Sequence, residues 1–481
     1  MNITPLFEKI LADFRFEPTH EQVLAMNRLA AFIEAPASRR VFVLKGYAGT
    51  GKTSVVSSLV GTMARNRKRV VLLAPTGRAA KVFSNTSGFP AYTIHKKIYR
   101  QKSIFDVGSF QLDRNMHEHT LFFVDEASMI SNQGLSGSTF GTGRLLDDLI
   151  SYVYSGEDCS MIMLGDQAQL PPVGESESPG LSVQALSEYG LDVWEFCLEN
   201  VMRQEHESGI LFNATMLRNR TIDSNGLTGF RFKLEGFSDV VKVSGSDLIE
   251  TLSGCYSRDG IDETMVLCRS NKRAIIYNNG IRNTILDRED ELTRGDNVMI
   301  VKNNYYWTEK LMADEGADSY DNLPSFIANG DIAVIRRVRR QRELYGFRFV
   351  DAALSFPDYN DLEMDVTLLL DTLHSESPSL TAQESDKLFN NVMEDYEDVP
   401  SKKEKMKKLR ENPHFNALQI KYAYAVTCHK AQGGQWKNIF IDQGYVPEDG
   451  RDEEYYRWLY TALTRATQTV YLVNWPENNI N

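Results

Sequence analysis

The chain has 481 residues, of which 42% are hydrophobic and 25% charged, and it carries a formal net charge of −12. That length exceeds one compact core and suits about two to four domains, and no run of about 18 apolar residues offers a membrane span. The acidic balance excludes a uniformly basic polyanion binder but permits a local basic groove, for which Arg65–Arg69, Arg336–Arg342 and Lys402–Arg410 are the candidate runs. Mixed charge through Met1–Phe16 is unlike a secretory signal. Five scattered cysteines without a C-x-x-C pair fit a reducing cytoplasm better than zinc or disulfide frameworks.

In chain order, the first strong signal is Val41–Leu44, a short β-favouring apolar run read as a buried strand. Gly46-Tyr47-Ala48-Gly49-Thr50-Gly51-Lys52-Thr53 follows and fits G-x-x-x-x-G-K-[ST] in full, with helical spacing over Val55–Met63. Strand, glycine loop and helix are the context that motif needs. Its glycines let backbone N–H groups of Gly46, Ala48, Gly49, Thr50 and Gly51 converge on phosphates at a positive helix end. Lys52 would neutralise the β- and γ-phosphates of ATP, and Thr53 would place its hydroxyl on Mg²⁺.

Val70–Leu73 reads as a second strand. Tyr99–Phe105, a turn at Asp106-Val107-Gly108 and Ser109–Arg114 could form a hairpin with Phe105 or Phe110 at its tip, or a plain connection. His117 and His119 flank Glu118, but with no further ligands nearby they read as a polar lead-in to a strand. That strand, Leu121–Val124, is continuously apolar and ends in Asp125-Glu126, where open α/β sheets present ligand-binding groups. Asp125 is the candidate Mg²⁺ ligand and Glu126 the candidate base for the attacking water. Met161–Leu164 is another strand, ending in Gly165-Asp166. Farther on, Val266–Cys268 reads as a strand and Ala274–Ile285 as a helix. Strands follow the Gly-Asp turns at 295–296 and 330–331, and Glu384–Lys408 is charged, helical or mobile.

In order and spacing, these segments resemble superfamily 1 helicases of the RecD/Dda type, the 1B branch, over nearly the whole chain. Phe16–Gln22 is similar to the glutamine motif, which implies that Gln22 reads adenine. Leu72–Lys81 and Thr93–Lys96 resemble two strand-contacting motifs, with Thr76, Arg78 and His95 as candidate nucleic-acid contacts. Met161–Pro172 resembles the motif whose Gln169 senses the γ-phosphate, and Met202-Arg203-Gln204 one whose Arg203 reaches it. Ala423–Gly433 resembles the motif that couples ATP to the strand, here through Thr427 and His429. Tyr460–Ala466 resembles the motif that supplies an arginine finger, Arg465. Where the family commonly has a ribose-binding Glu, this chain has Gln435, an amide without charge assistance.

The resemblance implies an α/β fold of two RecA-like P-loop NTPase domains in tandem. The first would span 1–201 with a hairpin insertion at 98–119. The second would span 202–291 and 414–481, interrupted by an SH3-like β-barrel insertion at 292–413. It implies a cytoplasmic, ATP- and Mg²⁺-dependent DNA helicase, working as a monomer on single-stranded DNA and on fork or tailed duplex in the 5′→3′ direction. Lys52, Glu126, Gln169, Arg203 and Arg465 would be its catalytic set. An RNA helicase of the same superfamily stays open, because contacts to a 2′-hydroxyl are not visible in sequence. A nucleotide-switched scaffold stays open too, although Glu126 and Arg465 weigh against it.

Overall fold

The computed structural model of the protein describes residues 4–36, 39–101, 110–134, 140–201, 208–222, 230–315, 324, 326–447 and 451–480. It divides into two compact units, one comprising 1–100, 110–244 and 431–481, the other 101–109 and 245–430.

In the first unit, strands Arg40–Gly46 (β1), Arg69–Ala74 (β2), Ala91–Thr93 (β3), Thr120–Val124 (β4), Ser160–Gly165 (β5) and Asp192–Leu198 (β6) form one sheet in the order β3-β2-β4-β5-β1-β6. Every pairing in it is parallel. The apolar runs in β1 and β4 are buried along their length because helices cover the sheet. Phe42 and Leu44 of β1 join Phe7, Met26, Phe32 and Leu59 from the helices Pro5–Asp13, His20–Glu34 and Lys52–Arg65 in one core. The register sets Lys45 against Gly165 and Val124 against Met163. The carboxyl ends of β4, β5 and β1 therefore lie side by side, which brings the glycine loop, Asp125 and Asp166 to one sheet edge. The same unit holds three further parallel strands, Trp436–Asp442, Ala466–Val473 and Val240–Val243. The helices Gly209–Ile222 and Glu453–Leu463 pack on each other.

Tyr99–Gln101 and Phe110–Leu112 pair as a two-stranded sheet. The turn expected between them, with Phe105, lies outside the described residues. Phe110 is not an exposed tip: it is buried, its ring centroid 5.1 Å from that of Phe140.

The second unit contains a closed barrel of Asn297–Ile300, Ile332–Leu344, Phe347–Phe356, Leu362–Leu369 and Leu418–Tyr422. Its last strand lies beyond Pro413, because Leu418 and Gln419 pair with Leu368 and Leu369 while Ile420, Lys421 and Tyr422 pair with Ile300, Met299 and Val298. The strand Thr264–Cys268 runs parallel to Ala425–Thr427. Asn278, on the helix after it, donates to Ala425 O at 2.8 Å and accepts from the N–H groups of Tyr424 and Ala425. The charged stretch 384–408 forms most of two helices, Ala382–Glu394 and Lys402–Arg410, whose Leu388, Val392 and Leu409 pack with Phe347 and Phe349 of the barrel.

Candidate active site

The loop's conformation follows from its glycines. Gly49 and Gly51 sit at φ +77° and +78°, where an L side chain is strained, and a Cβ on Gly49 would come 2.8 Å from Leu211. Lys52, the first residue of the following helix, folds back so that its ammonium donates to Gly46 O at 3.0 Å. Thr53 is exposed at the helix start. With Ser54, Ser57, Arg15 and Phe16 it lines an open cleft of about 360 Å³, and the Phe16 ring stands 59% exposed there.

Asp125 and Glu126 follow β4. Asp125 accepts from the Glu126 N–H at 2.9 Å. Burial, with the neighbouring Glu126 charge, pushes its carboxyl up to about 6, against the pull of Lys52. Glu126 itself holds left-handed backbone angles, φ 50° and ψ 39°, an uncommon state for a non-glycine residue and a frequent mark of functional sites. Asp166, at the end of β5, is buried, and burial raises its carboxyl while Lys52 and the Tyr460 hydroxyl pull it down. Carboxylate and hydroxyl oxygens beside an under-compensated acid suit a hard divalent ion such as Mg²⁺, for which Asp125 and Thr53 would be ligands.

Arg465 meets this cluster. Its side chain is 4% exposed, its Nη1 lies 3.8 Å from Glu126 Oε1, and it donates to Thr461 O, Gly434 O and Thr464 Oγ1. Gln169 is buried, and among the described residues its side-chain oxygen has no hydrogen-bond partner, leaving acceptor capacity unspent at the site. Arg203 lies outside the described residues.

Gln22 braces the loop from within the protein. It is fully buried and its amide is engaged within the protein: Oε1 accepts from Thr19 N at 2.9 Å in a capping box, and Nε2 donates to Thr50 O at 3.0 Å. It splints the loop from behind, with one amide N–H and one oxygen lone pair committed in these two bonds.

Thr76 caps the helix Gly77–Ser87, accepting from Ala79 N. A Cβ on Gly433 would come 3.2 Å from the Thr76 hydroxyl, so this crossing also needs glycine. Arg78 donates to Gln435 O at 3.0 Å, and its guanidinium sits 4.1 Å from the Trp436 ring centre. Gln435 is exposed and engages Arg78 through its backbone carbonyl. His95 packs between Tyr99 and Phe140, and burial holds its pKa to about 4. It is therefore neutral at physiological pH, able to meet a phosphate only as an N–H donor. Thr427 and His429 belong to the second unit, where Thr427 shares a small pocket with Lys421 and Lys430. Burial brings both lysines down to about 8.

Asp166, Tyr460, Thr461, Arg457 and Trp436 all touch this site, yet the sequence reading gave none of them a role. Asp166 lies in the segment that carries Gln169, and Tyr460 and Thr461 in the one that carries Arg465, whereas Arg457 and Trp436 fall outside every motif segment.

A nucleotide-cradling loop, two acids at the adjoining strand end and a buried arginine on the Glu126 carboxylate define a P-loop nucleoside-triphosphatase site. Two family models match the chain: "AAA domain" over residues 19–224 and "UvrD-like helicase C-terminal domain" over 422–473. With the order of motifs and the relatives below, they support a superfamily 1B helicase. An uncharacterized protein of Acanthamoeba polyphaga mimivirus is 22% identical, over 93% of this chain and 98% of its own. The ATP-dependent DNA helicase Dda of Enterobacteria phage T4 is 24% identical over 56% of this chain and 57% of its own. The ATP-dependent RecD2 DNA helicase of Deinococcus radiodurans is 28% identical over 33% and 19%. Among solved structures, Pif1 helicase from Bacteroides with ADP-AlF3 and single-stranded DNA aligns over 97% of this chain and 95% of that one, at 16% identity and a TM-score of 0.47.

Proposed function

We propose that the chain is an ATP-dependent DNA helicase that moves 5′→3′ along single-stranded DNA and opens forked or tailed duplex. The observation that carries this reading is Arg465, buried 3.8 Å from Glu126 in the unit that also holds the phosphate loop. Such an arginine serves hydrolysis as well as binding. The loop amides and Lys52 bind the triphosphate, and the glutamine motif, Phe16–Gln22, is assigned to the base. Thr53 and Asp125 would hold Mg²⁺, which would supply charge neutralisation at the phosphates. Glu126 takes the proton of the attacking water, Gln169 offers its free acceptor to that water or to its shell, and Arg465 meets the charge that develops on the phosphoryl group. Arg203 is assigned to the same charge from its sequence motif alone.

Coupling to DNA is assigned to the segment next to this site. Gln432 donates to Leu170 O at 2.8 Å, just after Gln169, and Gly433–Trp436 lies against Thr76 and Arg78. A change at Gln169 thus has a short packed route to two candidate phosphate contacts, which Thr427 and His429 would supplement. The architecture we assign is two RecA-like domains in tandem with the barrel as an SH3-like insertion. The domain limits we assign are those expected from the motifs, with Leu418–Tyr422 added to the barrel, and they differ from the compact units described above, in which 202–244 and 431–481 group with the phosphate loop.

The test is unwinding of substrates carrying only a 5′ or only a 3′ single-stranded tail, with ATP or a non-hydrolysable analogue. Opening of the 5′-tailed substrate with ATP alone is expected. Opening from the 3′ tail reverses the polarity, and no opening of either, beside intact ATP hydrolysis, sinks the helicase reading. Stronger ATPase stimulation by single-stranded RNA than by DNA of equal length would move the substrate to RNA.

A further inference from the structure

One hydroxyl joins the phosphate loop to the strand end beyond it. The Tyr460 Oη accepts from Ala48 N at 2.9 Å and donates to Asp166 Oδ2 at 2.6 Å. Tyr460 is 1% exposed, so neither bond has water as a substitute. Its neighbour Thr461 is fully buried and accepts from Leu170 N at 2.9 Å, and Arg457, one turn earlier, donates to Gln167 O at 2.8 Å. Positions 457, 460 and 461 share one face of the helix Glu453–Leu463. That face is bonded residue by residue to Asp166–Leu170, the segment containing Gln169. Immediately beyond the helix, Arg465 donates back to Thr461 O at 3.2 Å and projects to Glu126.

We propose that Tyr460 is a positioning residue for ATP hydrolysis: its hydroxyl clasps the Ala48 amide and the Asp166 carboxylate and so fixes the helix register that presents Arg465 to Glu126. A slip of one residue turns a helix by about 100° and shifts it about 1.5 Å. Either displacement is enough to withdraw a guanidinium that meets its acid at the edge of contact. The clasp also commits the Ala48 N–H to protein, leaving the later loop amides for phosphate. Phenylalanine would fill the same volume without the hydroxyl, stranding a buried amide and a buried acid together.

The inference rests on the ATPase reading above, and ATP hydrolysis by the unaltered chain checks that reading separately. Steady-state ATPase of the full chain with single-stranded DNA is measured for Tyr460→Phe, for Arg465→Lys and for both together. Tyr460→Phe is expected to lower kcat about 10-fold, the effect of one lost buried hydrogen-bonding group, with KM for ATP changed less than about 3-fold. In the Arg465→Lys background the same change should alter kcat less than about 2-fold, because the arginine that Tyr460 positions is already gone. Thr461→Val, which removes the adjoining clasp on Leu170, should repeat the pattern and stands in if Tyr460→Phe does not fold. An unchanged kcat, a loss that appears in KM alone, or a full 10-fold loss on top of Arg465→Lys would each overturn the proposal. An unaltered chain that hydrolyses no ATP would instead fail the reading beneath it.

Discussion

Asp296 is a fully buried carboxylate ringed by donors in the second unit, and replacing it with Asn tests how that unit is held together. Its carboxylate is 0% exposed and receives Arg282 Nε at 2.9 Å and Nη2 at 3.0 Å, Arg288 Nη1 at 2.7 Å, Thr293 N at 2.7 Å and the Tyr424 hydroxyl at 2.8 Å. The Arg282 side chain is 4% exposed and that of Arg288 15%, so neither can turn to water. Asn keeps the volume and one acceptor but removes the charge and points an NH₂ group at donors. Breaking a buried pair in this way costs about 3–5 kcal/mol. For a unit of this size that corresponds to a fall of about 6–20 °C in the unfolding midpoint. Hydrogen exchange localises the effect: the opening free energy of peptides covering Asn297–Ile300 and Leu418–Tyr422 should fall by that amount, while peptides covering β1 and β4 stay unchanged. Burial alone would raise the Asp296 carboxyl, but the Arg282, Thr293 N–H and Arg288 donors outweigh it and hold its pKa below the usual 3.8. The contribution is therefore complete above the unfolded-state value and drains as pH falls through the lower native one. The gap between wild type and Asp296→Asn should stay level from about pH 5 to 8 and close only below about pH 4. A gap under about 1 kcal/mol at neutral pH, or one that widens in acid, would refute the reasoning.

Four further outcomes follow from the first unit. Lys52→Ala should abolish ATP hydrolysis and unwinding with the far-ultraviolet circular dichroism spectrum preserved; DNA-stimulated hydrolysis in that variant would remove Lys52 from the phosphate site. Arg465→Ala should lower kcat by about 10³–10⁵ with a far smaller change in nucleotide affinity, read by steady-state kinetics beside equilibrium titration of ADP. Arg78→Gln should reduce the slope of log affinity against log salt for single-stranded DNA by about 0.7, the share of one phosphate contact; an unaltered slope would assign Arg78 to the Trp436 stack alone. His95, with its pKa depressed to about 4, does not charge between pH 5.5 and 8. The difference in DNA affinity between wild type and His95→Gln should then be constant across that range, and a difference that grows toward pH 5.5 would mean the ring protonates.

The parts of the site that were legible in the sequence are those whose chemistry is contiguous. The glycine loop must place several amides and one ammonium within a single turn, so its residues cannot be dispersed, and Asp125-Glu126 must directly follow a covered strand. Strand and helix around them were readable because parallel strands covered on both faces are apolar throughout, as in Val41–Leu44 and Leu121–Val124. Gln22 carries a second signal beside the glutamine motif: Thr19-x-x-Gln22 is a capping-box spacing, and the same amide closes the helix end and braces Thr50. His95 shows the opposite case. Its neutrality comes from burial, to which Phe140, 45 residues away in sequence, contributes a ring beside that of Tyr99. The barrel's closing strand could not be bounded from sequence either, because Leu418–Tyr422 becomes part of it only by pairing with strands that begin and end far upstream. Tyr460 marks the limit most sharply. Its two hydrogen bonds span 412 and 294 residues, and its own segment looks like an unremarkable apolar helix end. A hydroxyl there gains meaning only once the helix lies on the β5 edge. Spacing therefore reveals groups that act on one ligand from one turn, while the braces that hold such groups in register come from distant segments and emerge only with the packing.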